Sequence, residues 1–156
     1  MTTPASESEA PPAVREAVQA DLLAVYRIEK ASFPQPWPFA AFQQYVGEPG
    51  FLVAEVGASV AGYVVADAVP NHGRPLGHVK DLAVHPDRRG QGVGSTLLRR
   101  VLGVMRTQGV AEVKLEVRAG NEAALDLYRA FGFEHRRTVP RYYDDGENAL
   151  VMVADL

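Results

Sequence analysis

Cysteine is missing from the whole 156-residue chain. That excludes disulfides, thiolate zinc centres and a cysteine nucleophile, and it suits a cytoplasmic protein. A basic surplus is missing too: 16 Lys and Arg stand against 19 Asp and Glu, for a net charge of -3. A general nucleic-acid binder carries the opposite balance, so no nucleic-acid partner is expected. Although 47% of the residues are hydrophobic, no apolar run approaches the length of a membrane span, and no membrane partner is expected. No basic stretch followed by an apolar one opens the chain, so no secretory signal is expected. His72, His78 and His135 show no metal-ligand spacing, His85 is a lone loop histidine, and no metal is expected. There is no internal repeat, and the length fits one domain.

Two well-known phosphate loops are also missing. No run of Gly, four residues, Gly, Lys and Ser or Thr occurs, and the G-x-G-x-x-G spacing of dinucleotide loops is absent. What is present is Arg88-Arg89-Gly90-Gln91-Gly92-Val93-Gly94-Ser95. It follows an apolar stretch, 77–84, that reads as a strand, and it opens a stretch, 93–107, that reads as a helix. Three glycines allow a tight turn and a close approach to backbone N–H groups. The helix start adds unpaired N–H groups and the positive end of its dipole. Two readings stand: an anion site, most naturally for phosphate, or a plain strand-to-helix connector.

The stretch 1–13 is rich in Ser, Glu, Pro and Ala and reads as a disordered tail before a domain at 14–156. A strand is expected at 14–18. Asp21 then opens a helix, with Leu22, Val25 and Ile28 as its buried stripe. Pro34, Pro36 and Pro38 break that helix, and a second short helix runs to about Val46. The break presents Phe33, Pro36 and Trp37 on a stiff loop, whose rings either close off the core or form one wall of a substrate groove. Strands are expected at 51–56 and 60–69, with a hairpin at Gly57-Ala58-Ser59. Gly62 weakens or bends the second of them, and 71–76 reads as a polar loop.

In the stretch 77–84, Asp81 falls on the side of Val79 and breaks the alternation, which a bulge would restore. In the stretch 93–107, Val93, Leu97, Val101 and Met105 lie four apart, and Gly109 is a natural terminator. At 112–118, Val113, Leu115 and Val117 face one side while Lys114 and Glu116 face the other. Asn121 caps a helix with Leu125, Tyr128 and Phe131 on one face, ended by Gly132. Strands at 133–138 and 149–153 follow, with a hairpin signal at Asp145-Gly146. Short connections make many neighbours antiparallel, and two crossovers through long helices allow parallel pairs. The fold class is α+β, or mixed α/β, with one sheet of about six or seven strands and about four helices.

At this point the residues resemble a known family. Arg89-x-x-Gly92-x-Gly94 after a strand ending at Val84 resembles the acetyl-CoA-binding motif of the GNAT family of N-acetyltransferases. Leu115-Glu116-Val117-Arg118 resembles the family's next strand. Asn121, Ala124, Leu127-Tyr128 and Gly132-Phe133 resemble its second coenzyme motif. Phe33 to Trp37, the Leu115 strand and Arg141-Tyr142-Tyr143-Asp144-Asp145-Gly146-Glu147 are together similar to the protein Nα-acetyltransferases, ribosomal-protein alanine acetyltransferases among them. Asn148, where relatives usually carry Asp, departs from the pattern. So does Gln35, near a place where some relatives carry a catalytic Glu.

The resemblance implies one domain that transfers acetyl from acetyl-CoA to a protein N-terminus, as a monomer or weak homodimer. It implies a coenzyme site at Leu82, Ala83, Val84, Arg89, Gly90, Gln91, Gly92, Val93, Gly94, Ser95, Asn121 and Tyr128. It implies Glu116 as base, Tyr128 as acid toward the thiolate, and Phe33, Pro36, Trp37, Tyr142 and Tyr143 against the acceptor. Each residue also has a plainer reading. Glu116 pairs with Lys114 or Arg118, Tyr128 is a core ring, Asn121 is only a cap, and the tyrosine pair packs a hairpin. A small-molecule amine acetyltransferase and a non-catalytic acyl-CoA-binding module are the rival functions.

Overall fold

The computed structural model describes residues 11–156. In chain order its elements are β1 (Ala13–Glu16), α1 (Leu22–Ser32), α2 (Phe39–Gln43), β2 (Phe51–Val56), β3 (Ser59–Asn71), β4 (Arg74–Val84), α3 (Val93–Thr107), β5 (Glu112–Arg118), α4 (Glu122–Ala130), β6 (Glu134–Val139) and β7 (Ala149–Asp155). The strands form one seven-stranded sheet in the order β1-β2-β3-β4-β5-β7-β6. β4 and β5 are parallel, while β1–β2, β2–β3, β5–β7 and β6–β7 are antiparallel. This is a mixed sheet with four helices among the described residues, an α+β fold. No helix among them is long and apolar enough to cross a membrane.

Strong periodicity translated directly: α3 and β5 occupy the expected spans. The differences have local causes. Of the expected tail, 1–10 lie outside the described residues, and Ala13 already belongs to β1. β1 stops at Glu16 because Ala17 turns into the core, 3% exposed. Asp21 is the N-cap of α1, as expected, and it also ends a 3-10 turn, Gln19–Asp21. There its carboxylate accepts the Val18 N–H at 2.8 Å and pairs with Arg15 at 2.7 Å. α2 ends at Gln43, short of Val46. The expected loop at 71–76 is a tight turn on His72 and Gly73, at φ 51° and 81°. Consecutive left-handed residues suit a hairpin turn, so β3 runs on to Asn71 and β4 begins at Arg74. α4 ends at Ala130, with Phe131 as its C-cap, and Phe133 packs on Tyr128 with centroids 5.7 Å apart.

The chain divides into two compact units, Met1–Val65 with Asp81–Val101, and Ala66–Lys80 with Leu102–Leu156. The first has a core of Ala17, Leu22, Val25, Ile28, Phe42, Phe51, Val53, Tyr63, Val65 and Ala83. Gly62 belongs here for close approach rather than for a bend: a Cβ would stand 2.8 Å from the Ala83 carbonyl oxygen and 3.1 Å from Val93 Cγ1. The second unit closes in a similar way around Gly77, where a Cβ would stand 2.8 Å from Met105 Sδ and 3.0 Å from Val113 Cγ2.

Candidate active site

In the second unit the parallel register does the positioning. His78 of β4 is the register partner of Lys114 of β5. Glu116 lies two residues further along β5, on the same face as Lys114. A diagonal neighbour of this kind is within reach of long side chains. His78 Nε2 accordingly donates to Glu116 Oε1 at 2.7 Å, and Lys114 Nζ lies 3.5 Å from Oε2. The His78 hydrogen bond, with attraction to His78 and Lys114, holds the Glu116 carboxyl below the usual carboxylate range, against the opposing effect of burial. A carboxylate that stays ionised at neutral pH and keeps part of its surface open can accept a proton from a ligand. Lys114 is thus a partner of Glu116, as one plain reading held.

Arg118 reaches the β6–β7 loop. Its Nη1 donates to Asp145 Oδ2 at 2.8 Å and to Glu147 Oε1 at 2.9 Å. The other oxygen of Glu147 accepts the Gly120 N–H at 2.8 Å. The guanidinium lies 4.0 Å from the centroid of the Tyr143 ring, a cation–π arrangement. Tyr143 is half-buried, and burial first of all pushes its hydroxyl up to about 12. Tyr142 touches it edge-on at 5.0 Å and is 51% exposed. The tyrosine pair therefore offers one exposed ring and one braced ring, and the loop is tied to the end of β5. Tyr128 is buried, and Asn121 Oδ1 accepts the Ala124 N–H as the cap of α4. Among the described residues no cluster of three or more His, Asp and Glu side chains could hold a metal ion.

The first unit holds the glycine loop and the aromatic loop. Gly90 and Gly92 have φ of 77° and 83°, the left-handed region that glycine adopts without strain. At both, no atom lies within 4 Å of where a Cβ would stand, so the loop is uncovered. The Gly92 carbonyl accepts the Thr96 N–H at 3.0 Å and the Thr96 hydroxyl at 2.9 Å, which starts α3 directly behind the loop. The Arg89 guanidinium braces it, donating to the Val84 carbonyl and to Ser32 Oγ, both at 3.1 Å. An uncovered loop of this kind at the start of a 15-residue helix fits a phosphate group held by backbone N–H donors. Phe33 and Trp37 are half-buried on the edge of the core, Trp37 with its ring 5.2 Å from Phe42 and 5.9 Å from Tyr45. Pro36 beside it is exposed. Both readings of these rings survive, since each is partly core and partly surface.

The acetyltransferase (GNAT) family matches residues 22–133 of the chain. The chain belongs to this family. It is an acetyltransferase, and acetyl-CoA is its cosubstrate. It is 34% identical over 155 residues to an N-alpha-acetyltransferase of Sulfolobus acidocaldarius, covering 92% of each chain. It is 33% identical over 137 residues to the [ribosomal protein bS18]-alanine N-acetyltransferase of Escherichia coli K12, covering 85% of this chain and 89% of that one. The crystal structure of Ard1 from Thermoplasma volcanium superposes with a TM-score of 0.86 at 31% identity, over 94% of this chain and 99% of that one. Two contacts of the site that the sequence pattern did not single out are His78 beside Glu116 and the brace from Arg118 to Glu147. The only sequence signal for either was the shared alternation phase of Lys114, Glu116 and Arg118.

Proposed function

We propose that this GNAT enzyme acetylates the N-terminal α-amine of a protein in the cytoplasm, with an N-terminal alanine of a ribosomal protein as the first acceptor to test. The observation that carries the reading is the Glu116 carboxylate, kept ionised beside His78 and Lys114, in a chain that resembles an N-alpha-acetyltransferase over 92% of its length. Acetyl-CoA supplies a thioester whose carbonyl carbon takes the amine and whose sulfur leaves. The glycine loop from Arg89 to Ser95 holds its pyrophosphate, helped by Asn121, and the backbone at Leu82 to Val84 receives the acetyl carbonyl. Glu116 takes a proton from the acceptor's ammonium group, directly or through one water. This task is modest, because an α-amine has a pKa of about 8. As the C–N bond forms and the C–S bond breaks, Tyr128 gives its phenolic proton to the departing sulfur, and the second proton shed by the nitrogen returns through water to the Tyr128 phenolate. His78 fixes the direction of the Glu116 carboxylate. Phe33, Pro36 and Trp37, with Tyr142 and Tyr143, contact the first residues of the acceptor.

The test is acetyl-CoA turnover with peptides that differ at their first residue, beside free polyamines and aminoglycosides. N-terminal peptides are expected to react and the free amines to stay near background. Turnover confined to the free amines would replace this reading with small-molecule acetylation. Coenzyme binding with no turnover on any amine would make the chain a binding module.

A further inference from the structure

The loop between β6 and β7 carries backbone strain beside its tyrosine pair. Arg141 sits at φ 51°, in the left-handed region that residues other than glycine enter at a cost. Its N–H donates to Asn148 Oδ1 at 3.1 Å, so the residue that departs from the family pattern supplies this acceptor. Within the loop, the Tyr143 N–H donates to the Glu147 carbonyl at 3.2 Å, and the Gly146 N–H donates to the Tyr143 carbonyl at 2.9 Å. A strained conformation persists only when its surroundings fix it as well. Glu147 provides that with both oxygens: Oε1 accepts from Arg118 at 2.9 Å and Oε2 accepts the Gly120 N–H at 2.8 Å. Gly120 is needed for this approach, since a Cβ there would stand 2.8 Å from the same Oε2. The Arg118 side chain is 13% exposed, and its guanidinium lies 4.0 Å from the Tyr143 ring centroid. Arg118 therefore holds the loop twice, through the Glu147 carboxylate and through the face of the Tyr143 ring. Glu116 and Arg118 share one face of β5, with Val117 between them buried on the other. Two residues of strand span about 7 Å, so the ring fixed by Arg118 belongs to the face that carries the proposed base.

We infer that Arg118 and Glu147 are positioning residues for acceptor binding, which set the Tyr142–Tyr143 loop in place on the Glu116 face before the acceptor arrives. The acceptor then binds without bearing the cost of ordering the loop. The inference rests on the proposed function for what the loop meets; the brace itself involves only Arg118, Glu147, Gly120 and Tyr143.

In Glu147→Gln the side chain keeps one acceptor oxygen of two, so Arg118 or the Gly120 N–H loses its partner. The acceptor KM is expected to rise about tenfold, with kcat and the acetyl-CoA KM within about twofold of wild type. Arg118→Lys keeps the charge but lacks the planar fork and its stacking on the ring, and should raise the acceptor KM by about as much. Asp126→Asn removes the same charge from a side chain of α4 that is 77% exposed, and should leave all three parameters unchanged. A second readout needs no turnover. Arg141 is exposed, and the bond after it is a trypsin site that is cut when the loop opens. Mass spectrometry after brief trypsin treatment of the folded protein should show that cut about tenfold faster in Glu147→Gln and Arg118→Lys than in wild type. In the double variant the two effects should combine to well short of their product, because both break one connection. Circular dichroism establishes that each variant is folded; should Arg118→Lys unfold, Glu147→Gln and Asp126→Asn decide alone. A folded Glu147→Gln with the wild-type acceptor KM and cutting rate, or effects that multiply in full in the double variant, would overturn the inference. A wild-type protein that acetylates no N-terminal peptide would overturn the proposed function, and the cutting rates would still decide the brace.

Discussion

Replacing Glu116 with Gln lowers kcat by about a hundredfold or more, the range in which positioned general bases act, and leaves the acetyl-CoA KM within about twofold. The amide keeps the shape of the carboxylate, and its oxygen still accepts the Nε2–H of His78, which lies 2.7 Å from Oε1 in the wild type. Only the charge and the proton affinity are lost. The pH dependence follows from the direction of the shift. His78 and Lys114 hold the Glu116 carboxyl low, so it is ionised throughout the neutral range. The acid limb of kcat/KM therefore belongs to the acceptor's α-amine, and log(kcat/KM) rises with unit slope until about pH 8 and then levels. The same lowered pKa lets Glu116 stabilise the fold above the ordinary carboxylate range, a contribution lost as pH falls through its folded value. Steady-state kinetics of both proteins, with each substrate varied between roughly pH 6 and 9, measure all of this. Kinetics of Glu116→Gln that match the wild type over that range would remove Glu116 as the base.

Replacing Gly92 with Val acts on the other parameter. Gly92 sits at φ 83°, where a β-branched residue is a genuine outlier. Holding an L-residue in that conformation costs roughly 1–2 kcal/mol, equivalent to about a tenfold loss in the population of the correct loop. The added side chain would also stand in the open space through which a phosphate reaches the backbone. The acetyl-CoA KM should rise about tenfold or more, with kcat at saturation within about twofold of wild type. Gly103→Ala is the matching control. That glycine lies inside α3, is not among the positive-φ glycines and has nothing within 4 Å of its Cβ direction. It should leave both parameters unchanged and raise the melting temperature, since Ala is favoured over Gly in a helix by about 1 kcal/mol. An acetyl-CoA KM that does not move in Gly92→Val would remove the loop from the donor site.

What the sequence disclosed followed the strength of its local signals. Four-residue spacing from Val93 to Met105 and strict alternation from Val113 to Val117 placed α3 and β5, and with them the outward direction of Glu116. The Asn71 to Leu76 segment misled, because two successive left-handed residues at His72 and Gly73 make so short a turn that composition overstates the loop. Within the site, the hidden facts were those set by long-range register. His78 stands 38 positions from Glu116 in sequence, and only the pairing of His78 with Lys114 brings them together. Arg118 has its ion pairs with Asp145 and Glu147, 27 and 29 positions further along the chain, which its place in the strand did not announce. Asp81 looked like a fault in an apolar strand; burial first, and the carboxyl of Glu29 52 positions earlier, push its own carboxyl well above the usual range. Tyr128 showed its buried face in the sequence. Its part in the reaction is a chemical assignment that burial does not decide.

The central claim, transfer to an α-amine, is tested most directly by one peptide that carries both a free N-terminus and an internal lysine, incubated with acetyl-CoA beside a copy blocked at its N-terminus. Tandem mass spectrometry locates the acetyl group. The account predicts acetyl on the N-terminal nitrogen of the first peptide and none on the blocked copy. Acetyl on the lysine of the blocked copy, at a rate matching the unblocked peptide, would contradict it.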